Sequence, residues 1–283
     1  MLRFLMALTL TLLPVSVSAE GKFFDSNGVQ IHYYDQGTGE PVVLIHGLTQ
    51  SAARWEMLGI TDALTEAGYR VIAFDARGHG ESGKPHDPAQ YGLEMSEDVA
   101  RLLDHLSINQ AHVVGYSMGG AITNSFRATH PDRILTATLG GSGALNEDSD
   151  WIRFKSEYAD GLERGTMGPM LRRGSSRTDE EVDAISQQVR SQNDMQALAA
   201  ILRSSLARVA SPEELRSNKV PTLALIGETD PNKKDVDAMV GVMANLEVVV
   251  IPGADHGAAL RDPMFLAETL KFLAKHRQTA SDN

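Results

Sequence analysis

Gly115-Tyr116-Ser117-Met118-Gly119 is the most informative part of this chain. It follows an apolar run, Ala111-His112-Val113-Val114, and leads into Gly120-Ala121-Ile122-Thr123-Asn124, which is typical of the start of a helix. A serine between glycines on a strand-to-helix turn is the pattern of a nucleophile elbow. Glycine two residues either side of Ser117 removes side chains that would collide in so tight a turn, and the hydroxyl is left exposed. Because glycine and serine are common, the five residues alone are a weak signal, and their interpretation depends on context.

Strands and helices are predicted to alternate on both sides of this elbow. A hairpin comes first, because Asn27-Gly28 is a strong two-residue turn signal between two strand-like runs. The runs typical of buried strands are Val42–His46, Arg70–Asp75, Ala111–Gly115, Ile134–Leu139, Thr222–Ile226 and Glu247–Ile251. Helical patterns lie near Arg54–Ala67, Ser96–Leu106, Ser117–Thr129, Lys234–Asn245 and Pro263–His276. Apolar strands joined by helices predict an α/β fold with a mostly parallel sheet flanked by helices.

The alternation stops between about Ser142 and Ser217, where no strand is predicted. Apolar residues recur there at helical spacing: Trp151, Phe154, Tyr158 and Leu162, then Met195, Leu198, Leu202, Leu206 and Val209. This pattern predicts a helical cap inserted between two strands of the sheet, in a position to cover Ser117. The expected organisation is a core formed by residues 20–141 and 218–283, interrupted by a cap of residues 142–217.

Two further residues at strand ends are candidates to act together with Ser117. Asp230 follows the predicted strand Thr222–Ile226, and His256 follows the next one, Glu247–Ile251. A serine hydroxyl is a poor nucleophile near neutral pH unless a base takes its proton and a third group orients that base. The sequence therefore predicts a catalytic triad with Ser117 as nucleophile, His256 as base and Asp230 as the orienting acid.

Three other acids compete with Asp230 for that position. Asp255 is adjacent to His256, but a neighbour on the same loop rarely folds back onto the same imidazole. Glu228 lies one or two residues early at the end of its strand, and Asp148 follows the strand Ile134–Leu139. We expect Asp230 to be the acid and the other three to be dispensable.

Four blocks of the sequence together resemble the α/β-hydrolase superfamily, and in particular its cap-bearing, esterase-like enzymes. They are Val42-Val43-Leu44-Ile45-His46-Gly47-Leu48, Asp75-Ala76-Arg77-Gly78-His79-Gly80-Glu81-Ser82, the serine elbow and Gly253-Ala254-Asp255-His256-Gly257. The order serine, acid, histidine is also the one that this superfamily uses. The resemblance implies the α/β-hydrolase fold with an inserted helical cap, but it does not single out one activity.

The resemblance also implies where the oxyanion of the reaction would bind. The family takes one backbone N–H from the residue after the nucleophile, here Met118, and another from the loop after the third strand, here Leu48. One such donor contributes roughly 3–4 kcal/mol to transition-state stabilisation. His46 and His79 are expected to hold loops in place and to take no part in the chemistry.

Composition and charge limit the partners of this chain. Its 283 residues carry a formal net charge of −11 and no basic stretch, which argues against nucleic acid as a partner. Scattered histidines and the absence of cysteine give no pattern for a metal site, and the glycines do not follow the dinucleotide-binding spacing. We expect a small-molecule, ester-like substrate and no cofactor.

Residues 1–19 have the pattern of a secretory signal. Met1-Leu2-Arg3 carries a positive charge, Phe4 to Val15 is apolar, and Ser16-Val17-Ser18-Ala19 offers the small residues that a signal peptidase recognises. The apolar run is too short to span a bilayer. The sequence predicts export to the periplasm or the medium with cleavage after Ala19, and no stable membrane association of the processed chain.

The expected function is hydrolysis of small carboxylic esters, lactones or thioesters through an acyl-enzyme. Carbon–carbon bond hydrolases and cofactor-free perhydrolases are alternatives, since they use the same constellation of residues. The first of these is less favoured, because the loop His46-Gly47-Leu48-Thr49-Gln50-Ser51 lacks a glycine–proline that many of them carry. A ligand-binding or signalling protein on the same fold is the alternative from another class.

Overall fold

A single eight-stranded sheet forms the centre of the computed structural model, which describes residues 20–145, 149–172, 176–204 and 211–278. The strands are β1 Lys22–Ser26, β2 Val29–Gln36, β3 Glu40–Ile45, β4 Tyr69–Phe74, β5 Ala111–Tyr116, β6 Ile134–Gly140, β7 Thr222–Gly227 and β8 Leu246–Ile251. Their order across the sheet is β1-β2-β4-β3-β5-β6-β7-β8. Strand β2 runs antiparallel to both β1 and β4, and the remaining pairs are parallel. The predicted α/β class and mostly parallel sheet are thus confirmed.

Helices cover the sheet and fill most of the region between β6 and β7. They are α1 Ala53–Met57, α2 Ile60–Glu66, α3 Leu93–His105, α4 Met118–Thr129, α5 Asp150–Glu163, α6 Gly168–Leu171, α7 Asp179–Gln192, α8 Met195–Arg203, α9 Pro212–Ser217, α10 Lys233–Asp237 and α11 Pro263–Lys275. Short 3₁₀ turns precede α3, β6 and α11. Several helices begin at a side-chain cap, for example α11, where the Asp262 carboxylate accepts the N–H of Met264.

The central strands are apolar because each of their faces packs on helices. In β3, Val43 and Ile45 belong to a core that includes α3 and α4, whereas Val42 and Leu44 belong to a second core with α1, α2 and α11. All four side chains are fully buried. Alternate residues of one strand therefore serve two cores, which is why the parallel strands show continuous apolar runs instead of alternation.

Two predicted helices are shorter in the structure than the sequence pattern indicated. The expected helix Arg54–Ala67 is divided into α1 and α2, because Gly59 has φ 68°, a left-handed conformation that a helix cannot contain. The expected helix Lys234–Asn245 ends at Asp237. The chain beyond it makes i→i+3 turns and passes through Gly241 at φ 76°.

The chain between β6 and β7 carries helices α5 to α9, and its described residues contain no strand. Helices α5 and α8 pack on each other, and Leu198, Ile201 and Leu202 of α8 join the same core cluster as α3 and α4. We refer to α5–α9 as the helical insertion. The rival acid Asp148 and the predicted signal, residues 1–19, lie outside the described residues.

Candidate active site

Ser117 occupies a strained turn between β5 and α4. Its backbone has φ 55° and ψ −113°, a region that residues other than glycine rarely adopt, and its N–H donates to the carbonyl of Gly140 at 2.7 Å. A Cβ on Gly119 would overlap the carbonyl oxygen of Ile45, and a Cβ on Gly115 would overlap the carbonyl of Gly119. The two glycines thus let the strand, the turn and the helix approach one another closely, as the elbow pattern requires.

The structure brings Ser117, His256 and Asp230 together in one chain of hydrogen bonds. Oγ of Ser117 lies 2.9 Å from Nε2 of His256, and Nδ1 of His256 lies 2.8 Å from Oδ2 of Asp230. The Asp230 side chain is completely buried, whereas that of His256 is 35% exposed. A carboxylate accepts from Nδ1–H, which leaves Nε2 free to accept the serine proton.

The two described rival acids have other partners. Oδ1 of Asp255 accepts the N–H groups of Gly257 and Ala258, and therefore holds the turn after His256. Oε2 of Glu228 accepts the N–H of Gly253 at 2.7 Å. Among the described residues, neither carboxylate hydrogen bonds to the imidazole.

Tyr116 and Asn232 support the three residues and were not singled out from the sequence. The Tyr116 hydroxyl donates to the carbonyl of His256 at 2.5 Å, and burial raises the pKa of this phenol, so the donor stays protonated. Asn232 donates its backbone N–H to Oδ1 of Asp230 and its side-chain amide to the carbonyl of Gly141. An aromatic residue directly before the elbow serine was the only available signal in the sequence.

The two expected oxyanion donors lie close to Ser117. Met118 is the first residue of α4, so its N–H has no acceptor within the helix. Leu48 follows Gly47, whose missing Cβ would lie only 3.4 Å from Cβ of Ser117. The loop after β3 and the start of α4 therefore both lie next to the serine.

His46 and His79 are buried beneath this loop. Nε2 of His46 accepts the N–H of Ala76 at 3.1 Å, so its Nδ1 carries a proton and donates to the carbonyl of Gly47 at 2.8 Å. Burial lowers the pKa of His46, and burial together with the neighbouring His46 lowers the pKa of His79 to about 3. Both rings are thus neutral. His46 holds the loop that carries Leu48, and His79 packs edge-on against the ring of His46.

Asp75 connects the second sequence block to the loop that follows the first block. Its carboxylate accepts the N–H of Ala52 at 2.7 Å and the N–H of Glu81 at 2.9 Å, and it contacts Nδ1 of His32. Burial alone would raise the pKa of Asp75, but these hydrogen bonds lower it overall. The charge of Asp75 fixes the loop below the serine, and Asp75 is not one of the reacting groups.

Two cavities meet at Ser117. The smaller, ≈ 40 Å³, lies on the side of the helical insertion and is lined by Met118, Ala121, Ser142, Gly143, Leu145, Trp151, Asn232 and Asp235. The larger, ≈ 190 Å³, lies on the side of the imidazole and is lined by His46, Gly47, Leu48, Gln50, Arg54, Trp55, Tyr116, His256, Gly257, Leu260 and Arg261. The serine is therefore open to ligand from two sides.

The described residues contain neither a cluster of metal ligands nor a helix that could cross a membrane. Nowhere in that part of the chain do three or more histidine, aspartate or glutamate side chains come together as a metal ion would require. None of the described helices has the length and apolar character needed to cross a membrane.

Comparison with known proteins agrees with the fold. Residues 40–166 match the family model described as the alpha/beta hydrolase fold. A 2-hydroxy-6-oxo-6-phenylhexa-2,4-dienoate hydrolase of Comamonas testosteroni is 37% identical over 122 residues, 43% of each chain. Bifunctional epoxide hydrolase 2 of Sus scrofa is 33% identical over 120 residues, 42% of this chain and 21% of its own. The match spans less than half of the length of either curated relative.

A solved structure covers more of the chain. The crystal structure of a hydrolase from Pseudomonas aeruginosa PA01 superposes with a TM-score of 0.69 at 25% identity, over 89% of this chain and 98% of its own. Sheet topology, elbow and family model agree, and the chain has the α/β-hydrolase fold. The superfamily contains several kinds of hydrolase, so the reaction has to be argued from the site.

Proposed function

We propose that the protein is a serine hydrolase that cleaves small carboxylic esters through an acyl-enzyme. The observation that carries this proposal is the unbroken chain of hydrogen bonds from Asp230 through His256 to Ser117, at 2.8 and 2.9 Å. A protein that only binds ligands has no need of a strained serine joined to a base and a buried acid. In this proposal Ser117 is the nucleophile, His256 the general base and Asp230 the group that orients it.

The reaction begins when Oγ of Ser117 attacks the ester carbonyl and Nε2 of His256 takes its proton. The negative charge that forms on the carbonyl oxygen is stabilised by the N–H groups of Leu48 and Met118. His256 then donates its proton to the departing alcohol, and an acyl group remains on Ser117. A water molecule, deprotonated by His256, attacks this acyl-enzyme and releases the acid.

The shapes of the cavities support a short acyl group. The leaving oxygen has to be next to His256, so the alcohol part occupies the larger cavity, which His256 lines. The acyl part is then left with the smaller cavity of ≈ 40 Å³, closed by Leu145 and Trp151. We propose a preference for acyl chains on the order of two to eight carbons over long chains.

A carbon–carbon bond hydrolase is the second candidate. It is favoured by the 37% identity to the dienoate hydrolase of Comamonas testosteroni, although that match covers less than half of either chain. Turnover of simple alkyl and aryl esters by purified protein would favour the first candidate, and turnover restricted to diketone-type substrates the second.

The direct test is labelling with a fluorophosphonate probe, followed by peptide mass spectrometry. We expect a stoichiometric adduct on Ser117, no adduct in the Ser117→Ala variant, and ester hydrolysis that disappears in both the labelled and the substituted protein. An absence of both labelling and turnover, in protein that melts cooperatively, would identify a ligand-binding protein instead.

A further inference from the structure

We propose that the larger cavity binds a carboxylate on the leaving alcohol through Arg54 and Arg261, so that the preferred substrates are acyl esters of small hydroxy acids. This inference rests on the proposed ester hydrolysis and adds the chemical class of its substrate. It begins with two cationic side chains in the wall of the cavity beside His256.

Both arginines are without a partner in the part of the chain that the structure describes. Arg54 is half-buried on α1, and Arg261 is exposed just before α11. Many other arginines are paired with carboxylates, as in Arg70–Asp35, Arg77–Asp98, Arg101–Glu94, Arg133–Asp104 and Arg203–Glu163. No ion pair or side-chain hydrogen bond of Arg54 or Arg261 occurs within the described ranges, although acids outnumber bases by 37 to 26.

The acids nearest to these arginines in sequence are engaged elsewhere. The carboxylate of Asp255 accepts two N–H groups of the following turn, and that of Asp262 accepts the N–H of Met264. Glu56 is two residues from Arg54 on the same helix, a spacing that points side chains away from each other. The guanidinium groups therefore remain available to a ligand.

The position of Arg261 connects this charge to the reacting atoms. A Cβ built on Gly257, the residue directly after His256, would lie 3.9 Å from Nη2 of Arg261. Arg54 lines the same cavity from α1, the helix that follows the Leu48 loop. A carboxylate attached to the leaving alcohol would thus enter a cavity lined by two guanidinium groups, which present planar pairs of donors suited to carboxylate oxygens.

The smaller cavity is lined by an acid and by no arginine or lysine, and this favours one orientation of the substrate. Asp235 lines it, is 1% exposed and hydrogen bonds to the hydroxyl of Ser149 at 2.7 Å. Burial raises the pKa of this carboxyl, which shows that the surroundings already disfavour negative charge. A carboxylate on the acyl part would be buried beside this acid with no cationic side chain in the lining to pair with it. An anionic substrate is thus accepted with its charge on the alcohol part and disfavoured with its charge on the acyl part.

The experiment compares meta-acetoxybenzoate with meta-acetoxybenzamide, which differ only by a carboxylate or a neutral amide on the leaving phenol. Each kcat/KM is divided by the alkaline hydrolysis rate of the same ester, which removes the intrinsic difference in reactivity. We expect a preference of about tenfold for the anionic ester, the lower range for a hydrogen bond to a charged group. Arg54→Gln and Arg261→Gln should each reduce this preference severalfold, by raising KM for the anionic ester. Each should change kcat/KM for the amide-bearing ester by less than twofold.

Arg164→Gln is the matched control, since it removes the same charge from an exposed arginine of the insertion that lines neither cavity. A measurement without turnover accompanies the kinetics: meta-hydroxybenzoate should slow fluorophosphonate labelling of Ser117 more than meta-hydroxybenzamide does, and only in protein that retains both arginines. Equal kcat/KM for the two esters together with equal protection by the two phenols would overturn the inference and leave the hydrolase proposal intact. Loss of labelling itself would instead contradict the hydrolase proposal.

Discussion

The proposed nucleophile, Ser117, depends on residues that are distant in sequence and meet at one edge of the sheet. Ser117 and His256 are 139 residues apart, and His256 and Asp230 are 26 apart. Each of these residues follows the carboxyl end of a parallel strand, where ligand sites of such sheets are usually formed. Tyr116 and Asn232 then hold the imidazole loop and the acid in place by hydrogen bonds.

Asp230→Asn should reduce kcat by about 10³–10⁴-fold, because an amide stabilises the wrong imidazole tautomer and cannot compensate its positive charge. The fold should persist, as shown by an unchanged circular dichroism spectrum and melting temperature within a few degrees. Asp255→Asn is the control and should reduce kcat only a few-fold, since the Asp255 carboxylate binds backbone N–H groups. If Asp148→Asn were the crippling substitution instead, the acid would belong to the strand before the insertion.

The buried His79 should make the protein less stable as the pH falls. The pKa of His79 is about 3 in the folded chain and near 6.5 when unfolded, so between these values the unfolded state binds one more proton. The free energy of unfolding should therefore decrease by about 1.4 kcal/mol per pH unit below pH ~6.5 from this residue alone. Urea unfolding of wild type and His79→Gln at pH 7, 6, 5 and 4 measures this decrease. The same pH dependence of the free energy of unfolding in both proteins would contradict the prediction.

Among the elements, the turn from β5 to α4 has the least tolerance for change. Gly115 and Gly119 allow β5 and α4 to pack so closely that a methyl group has no space at either position. The same closeness places Met118 at the free N-terminal end of a helix, next to Ser117. The geometry of the elbow and the proposed oxyanion donor are thus two results of one packing arrangement.

Gly119→Ala should lower the free energy of unfolding by about 3 kcal/mol and abolish activity, because the new methyl group would overlap the backbone of Ile45. Gly168→Ala in α6 is a matched control. Its Cβ would approach the side-chain oxygen of Thr166 at 3.2 Å and Cγ1 of Val182 at 3.5 Å, and no backbone atom as closely. Chemical denaturation followed by fluorescence compares the two, and similar losses of stability would show that the elbow is less tightly packed than the structure indicates.

At the scale of the whole molecule, the smaller cavity is formed where the sheet and the helical insertion meet. Met118 and Ala121 come from the core, whereas Leu145 and Trp151 belong to the chain between β6 and β7. Removal of substrate from water in such a site favours small, dissolved substrates over aggregated lipid. The predicted export of the chain concerns residues outside the described part and stays a prediction.

Butyrate esters should be hydrolysed at least about 100-fold more efficiently than oleate esters, because an acyl chain of oleate length exceeds the space beside Ser117. Rates should also be unaffected by an emulsion interface. The measurement compares both esters below and above the concentration at which the oleate ester forms an emulsion. A sharp rise of oleate hydrolysis at the interface would show that the insertion opens there and that the protein is a lipase.

Local sequence was sufficient for much of the fold, since strand runs, helix spacing and turn signals are short-range patterns. The six predicted core strands lie within two residues of β3 to β8, and the Asn27-Gly28 hairpin is found between β1 and β2. Ser117, His256 and Asp230 could be named because each follows a strand end in a recognisable order. The predicted helices Arg54–Ala67 and Lys234–Asn245 were too long, because helical spacing does not reveal the left-handed conformations of Gly59 and Gly241.

Tertiary structure alone decided how these residues act on one another. Distances between remote segments determine which acid reaches His256 and that Tyr116 holds the carbonyl of His256. They also determine that Arg54 and Arg261 line one cavity and that Asp235 lines the other. The sequence determined which elements form, because propensities and apolar periodicity act over a few residues. The distribution of charge around Ser117 depends on how the sheet, the loops and the insertion pack together, because an electrostatic field depends on positions in space and not on order along the chain.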